Sequence, residues 1–193
     1  MNGLTDLPGD LPAPVDDGAA SHLPGLLLPA LRLPATSGEV IDLAGLGQRG
    51  RSVLYCYPLT ARPGTDLPDG WDAIPGARGC TPEACGFRDH HAELTAAGAA
   101  SVHGLSSQDT GYQQEAAQRL QLPFAMLSDT ELALAAALGL PTFEADGRRL
   151  YTRLTMVIGG GRIEHVFYPV FPPDQHAQQV LDWLRAHPAG QPA

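Results

Sequence analysis

From residue 52 onward the chain alternates short apolar runs with longer amphipathic ones, and this alternation leaves few folds open to it. Residues 52–57, SVLYCY, are an almost unbroken apolar run stopped by Pro58, the pattern of a strand buried on both faces. Residues 81–97 read as a helix, with Pro82 tolerated in its first turn and Gly98 closing it. A strand at 101–105, a helix at 111–120, a strand at 124–127 and a helix at 131–138 follow. Residues 150–158 and 162–168 read as strands joined by Gly159-Gly160-Gly161, a hairpin signal. A final amphipathic helix at 174–186 turns Val180, Leu181 and Leu184 inward. The order β, α, β, α, β, α, β, β, α predicts an α/β fold with a mixed central sheet flanked by helices.

Ahead of this pattern, apolar segments at 26–33 and 40–43 flank Ala35-Thr36-Ser37-Gly38, which suggests a further hairpin. With 193 residues, 44% of them apolar, the chain can bury one core but not two comfortable ones. The expected organisation is a flexible extension over 1–22, a single domain over 23–187 and a flexible tail over 188–193. The extension is acidic and rich in Pro and Gly, without the basic start and apolar run of a signal peptide. The stretch 23–33 is interrupted by Pro24, Pro29 and Arg32, so no membrane span is expected. A net charge of −9 argues against nucleic acid or an anionic membrane as partner. Three cysteines without an export signal suggest a reducing cytoplasm, where a cysteine pair is more often catalytic or metal-binding than structural.

The chemistry concentrates in residues 79–85, GCTPEAC. Cys80 stands where a helix is expected to begin, after a loop over 59–79 that holds four Gly and three Pro. A thiol at a helix N-terminus faces unpaired backbone N–H groups and the positive end of the dipole, which favours its thiolate. Cys85, little more than one turn later, can capture whatever Cys80 becomes on oxidation. Five residues along an intact helix rotate a side chain by about 140° and raise it by about 7.5 Å. That exceeds the usual disulfide Cα separation of roughly 4.4–6.8 Å, so a Cys80–Cys85 bond requires the first helical turns to unwind.

Blander readings stand beside each residue. Zinc could be held by Cys80, Cys85, His90 and His91, but no second pair with matched spacing exists; the two histidines read better as solvated helix residues. Cys56 lies mid-strand and reads as a packed core thiol. Arg153 could lower a nearby thiol pKa and donate to an oxygen substrate, or form a surface ion pair. Glu83 could be an ordinary first-turn partner of the helix dipole.

In these residues the chain resembles the peroxiredoxins, specifically the bacterioferritin-comigratory (PrxQ-like) group with a helix-borne second cysteine. The resemblance covers residues 26–184. It is carried by Tyr57-Pro58, Gly79-Cys80-Thr81, the run from Glu83 to Asp89 (EACGFRD), Leu127-Ser128-Asp129, Arg153-Leu154-Thr155 and the run from Gly161 to Phe167 (GRIEHVF). It implies a thioredoxin-like fold and a cofactor-free thiol peroxidase acting on hydrogen peroxide and organic hydroperoxides, with thioredoxin or a similar dithiol as reductant. By position, Cys80 corresponds to the peroxidatic cysteine, Cys85 to the resolving cysteine and Arg153 to the activating arginine. Glu83 matches the acidic position three residues after the nucleophile, and Pro58 the proline that shields the pocket.

One departure from the family pattern is large. The family places a threonine three residues before the nucleophile and a proline seven before it; here these positions hold Ala77 and Ala73, and Pro58 lies 22 residues upstream. An insertion of roughly fifteen residues, dense in Gly and Pro, splits the motif. Thr60 is the expected source of the missing hydroxyl, and Leu67 and Trp71 are expected to cover the pocket. The rivals to a peroxidase are a non-catalytic thioredoxin-fold or zinc-stabilised binding module and a thiol–disulfide oxidoreductase. The last usually needs a C-x-x-C pair, which is missing here.

Overall fold

The centre of the molecule is strand β3 (Arg51–Cys56), whose residues are buried from Ser52 onward, as an apolar run without alternation requires. The structure is a computed structural model that describes residues 7–188. On one side β3 pairs in parallel with β4 (Ala99–Ser106), which pairs in parallel with β5 (Met126–Ser128). On the other it pairs antiparallel with β8 (Leu154–Gly159), which pairs antiparallel with β9 (Arg162–Phe167). The sheet order is therefore β5-β4-β3-β8-β9, a mixed five-stranded sheet.

Alternate residues of β3 feed two different cores. Val53 and Tyr55 join Phe87, Leu94, Val102, Val157, Val180 and Leu181 beneath three helices: α1 (Cys80–Asp89), α2 (His91–Ala96) and α5 (His176–Ala186). Leu54 and Cys56 join Leu105, Leu127, Leu134, Met156 and Ile158 on the opposite face. There α4 (Ala133–Leu138) and the hairpin of β1 (Arg32–Pro34) and β2 (Val40–Asp42) cover the sheet. Helix α3 (Thr110–Arg119) links β4 to β5, capped by the Asp109 carboxylate, which accepts from Tyr112 N at 2.8 Å. Tyr55 stacks on Phe87 with ring centroids 4.5 Å apart, and complete burial of a ring such as Phe87 contributes about 1.5–3 kcal/mol.

Several expected boundaries shift. The helix expected over 81–97 is divided at His90 into α1 and α2, although His90 N still donates to Gly86 O and Leu94 N to His90 O. The strand expected over 150–158 is interrupted at Thr152-Arg153. Its first part is β7 (Arg148–Tyr151), paired with β6 (Thr142–Ala145) through an Asp146-Gly147 turn with both φ angles positive. The loop expected over 59–79 carries a short 3₁₀ turn at Trp71–Ala73. Of the stretch expected to be a flexible extension, residues 17–22 lie against the domain. Ala20 is buried, His22 Nε2 donates to Leu138 O at 2.8 Å, and Asp17 accepts from the Tyr168 hydroxyl at 2.9 Å.

Gly79 sets the entry of α1. Its φ is +105°, and a Cβ there would lie 2.3 Å from Pro173 Cγ. Both the strained backbone and the collision oppose a side chain. Gly79→Ala is therefore expected to lower stability by about 2 kcal/mol or more, read as a fall in the urea midpoint; an unchanged midpoint would show that Pro173 retreats freely.

Candidate active site

The C-terminal ends of β3 and β4 and the start of β8 meet at one edge of the sheet, and α1 begins over that edge. Open α/β sheets place ligand-binding groups at this location. Cys80, the first residue of α1, is 4% exposed, and Arg153, immediately before β8, is 2% exposed. Arg153 Nη2 donates to the Cys80 sulfur at 3.2 Å and to the carbonyls of Ala77 and Arg78 at 3.3 and 3.1 Å. Its Nη1 donates to Glu83 Oε2 in an ion pair that is completely buried. The break after β7 frees Arg153 from the strand ladder and lets it reach the start of α1.

The electrostatics follow from burial. Burial pushes the Cys80 thiol above its ordinary value; Arg153 pulls it down, Glu83 pushes it up, and the Leu59 backbone N–H helps to lower it. The sequence credited the helix start with favouring the thiolate; in the structure a side chain joins it. Arg153 is the chief group favouring the thiolate. Burial likewise pushes the Glu83 carboxyl up to about 7, against the pull of Arg153. Once Glu83 is protonated its upward push on the thiol vanishes, and the guanidinium charge then serves the sulfur alone. Glu83 Oε1 and Arg153 Nε have no hydrogen-bond partner.

Cys85 is half-buried on the same helix, and all three cysteines are free. Burial raises its thiol pKa, and the nearby Arg88 guanidinium counters that rise. Arg88 is itself held by Asp89 at 2.8 Å and by Leu120 O at 2.9 Å. Sequence reasoning gave Arg88 no role, although its place three residues after Cys85 on one helix face was a usable signal. Cys56 is fully buried in the opposite core, and His90 is turned to Glu93 at 2.8 Å while His91 stacks on Phe124. Among the described residues no three His, Cys, Asp or Glu side chains converge on a metal-binding position.

Pro58 is buried at the turn that leaves β3. Thr60 requires a correction. Its hydroxyl donates to Gln108 Oε1 at 2.9 Å, and its backbone N–H donates to the same oxygen. Gln108 Nε2 returns a bond to Thr60 O at 3.2 Å. Buried at 1% exposure, Thr60 spends its hydroxyl on this pairing rather than on the sulfur, because an unsatisfied Gln108 would cost about 1–3 kcal/mol. A second hydroxyl went unnoticed in the sequence: that of Tyr57, buried beside Ser106 and Thr60 without a well-formed hydrogen bond. The Ser128-Asp129 element is structural, since Asp129 caps α4 through Ala133 N and Leu134 N, both at 2.9 Å, and accepts from Tyr151.

A crevice of about 20 Å³ opens onto Cys80, lined by Leu59, Ala61, Leu67, Trp71 and the helix start. Leu67 and Trp71 of the insertion do cover the site, as expected.

A buried thiol, an arginine aimed at its sulfur and a second thiol on the same helix form an arrangement suited to thiol redox chemistry. The Redoxin family pattern matches residues 23–181. Peroxiredoxin Bcp of Escherichia coli is 30% identical over 167 residues, covering 84% of this chain and 96% of that protein. Peroxidoxin BcpB of Mycobacterium tuberculosis superposes with a TM-score of 0.68 at 29% identity, over 86% of this chain and 99% of the other. Peroxiredoxin Q of Xanthomonas campestris gives 0.62 at 25% identity, over 84% and 98%. The chain belongs to the Redoxin family and, within it, to the Bcp/PrxQ-like peroxiredoxins. It is a thiol peroxidase with a thioredoxin-like fold.

Proposed function

We propose that Cys80 is the peroxide-reducing thiol, that Cys85 resolves it within the same chain, and that a thioredoxin-type dithiol of the cytoplasm closes the cycle. The observation that carries this reading is Arg153 Nη2 at 3.2 Å from the Cys80 sulfur, with the free Cys85 on the same helix. The Cys80 thiolate attacks one oxygen of the peroxide; a sulfur–oxygen bond forms, the O–O bond breaks, and the departing oxygen leaves as water or alcohol after taking a proton. Sulfur loses two electrons and becomes a sulfenic acid. The fixed guanidinium stabilises both the attacking thiolate and the charge growing on the leaving oxygen.

The Cys85 thiol then condenses with the sulfenic acid, forming the S–S bond and releasing water. The external dithiol reduces that bond by exchange and is itself oxidised to a disulfide. α1 runs unbroken through both cysteines, so its first turn must open before they can meet. Stoichiometric peroxide should yield an intramolecular Cys80–Cys85 disulfide with Cys56 still a free thiol, alkylated only after denaturation, and amide exchange over residues 80–90 should accelerate on oxidation. Peptide mapping that placed Cys56 in the bond would overturn the proposed pairing.

A further inference from the structure

The insertion between Pro58 and Cys80 does more than lengthen a loop. Its Trp71 is 3% exposed and is anchored from outside the active-site helix. It joins Leu59, Ala77, Ala145 and Leu150 in a separate core, and its ring centroid lies 6.0 Å from that of Phe143. Phe143, Ala145 and Leu150 belong to the β6–β7 hairpin, so insertion and hairpin clamp each other. A second tie runs from Asp72 Oδ1 to Arg78 Nη1 at 3.1 Å, joining the insertion to the residues that lead into Cys80. The wall over the sulfur is therefore a packed structure, and little space is left beneath it. The crevice that opens onto the sulfur is narrow, and Leu67 and Trp71 are among its lining residues.

We infer that Leu67 and Trp71 are specificity-determining residues that fit the site to hydrogen peroxide and exclude hydroperoxides with bulky organic groups. This rests on Cys80 being the peroxide-reducing thiol. Hydrogen peroxide presents two oxygens and nothing else. An arylalkyl hydroperoxide must bring its carbon skeleton past Leu67 and Trp71, and it can reach the sulfur only by prising Trp71 from Phe143 and Leu150. The penalty falls on the bulky substrate alone, so it appears as a ratio of kcat/KM values rather than as a uniform loss.

The test compares hydrogen peroxide with cumene hydroperoxide on the full chain, using a thioredoxin system for turnover and stopped-flow single turnovers on the reduced protein. The parent is expected to prefer hydrogen peroxide by at least about tenfold in kcat/KM, and Trp71→Ala to shift that ratio toward cumene hydroperoxide by about tenfold. Leu67 is only half-buried, and Leu67→Ala, which should keep the wall folded, is expected to move the ratio the same way by a smaller factor. Because the readout is a ratio, a general loss of activity in Trp71→Ala does not mimic the result. A parent that already reduces cumene hydroperoxide as fast as hydrogen peroxide, or variants whose ratio is unchanged or moves the other way, would overturn the inference while leaving the peroxidase reading intact. A parent in which neither peroxide oxidises Cys80 would instead remove the reading on which it rests.

Discussion

Cys80→Ser is expected to abolish peroxide reduction, while Cys85→Ser should consume about one equivalent of peroxide and then stop. A serine hydroxyl is not ionised near neutral pH, so the first variant has no nucleophile. The second retains the buried sulfur and the arginine that addresses it at 3.2 Å, and lacks only the thiol that regenerates it. The measurement is peroxide consumed per chain, followed by trapping of the sulfenic acid with dimedone. Multiple turnovers by Cys80→Ser with a dithiol present would remove Cys80 from its role. Sustained turnover by Cys85→Ser with thioredoxin would show that the external reductant attacks the sulfenic acid directly.

Arg153→Ala is expected to slow the second-order oxidation of Cys80 by about 100–1000-fold, the usual effect of deleting a fixed donor at a site of developing charge. It should also raise the Cys80 thiol pKa, because Arg153 is the largest influence opposing the burial that already raises it. Arg153→Lys should recover only part of the rate: one ammonium cannot reach the sulfur, Glu83 and the carbonyls of Ala77 and Arg78 together, as the guanidinium does. Losing Arg153 also strands Glu83, and orphaning one member of a buried pair costs about 3–5 kcal/mol. The double variant Arg153→Ala/Glu83→Gln separates the two effects. It should regain much of the stability and none of the rate. Oxidation of Arg153→Ala at the parental rate would leave the arginine a purely structural partner of Glu83.

What could be read from the chain ahead of its structure divides by the range of the interactions. β3 and the helix start at Cys80 were legible because each is written in consecutive residues: an apolar run ended by Pro58, and a Gly before the thiol with Pro82 in the first turn. The β6–β7 hairpin was missed although its Asp146-Gly147 turn is a strong local signal. Its strands do not alternate cleanly, since Phe143, Ala145 and Leu150 pack on the insertion while Tyr151 reaches the core of the main sheet. Thr60 was assigned to the sulfur by proximity to Pro58, but its true partner, Gln108, lies 48 residues away. A Pro/Gly-rich start suggested flexibility, yet its last part, residues 17–22, is held by a few distant bonds, such as that from His22 to Leu138. Arg153 could be named, but its reach to both Glu83 and Cys80 depends on a strand break that an apolar pattern does not reveal.

The position of Glu83 between the two cysteines divides the thermal behaviour of the cycle. Peroxide attack takes place in the packed pocket and asks little of the fold. Joining Cys80 to Cys85 requires the turn that carries Glu83 to open, which draws a fully buried carboxylate away from Arg153. Local unfolding of this kind has a large activation enthalpy, with rates that change about 3–6-fold per 10 °C. If Cys80 and Cys85 join as proposed, cooling should retard the second half-reaction more than the first and lengthen the life of the sulfenic acid. A long-lived sulfenic acid is open to a second peroxide and to the sulfinic acid, from which thiols do not recover it. In the proposed cycle, oxidative inactivation is therefore expected to grow on cooling, read as sulfinic acid formed per turnover, because one buried glutamate must be moved before the thiols can join.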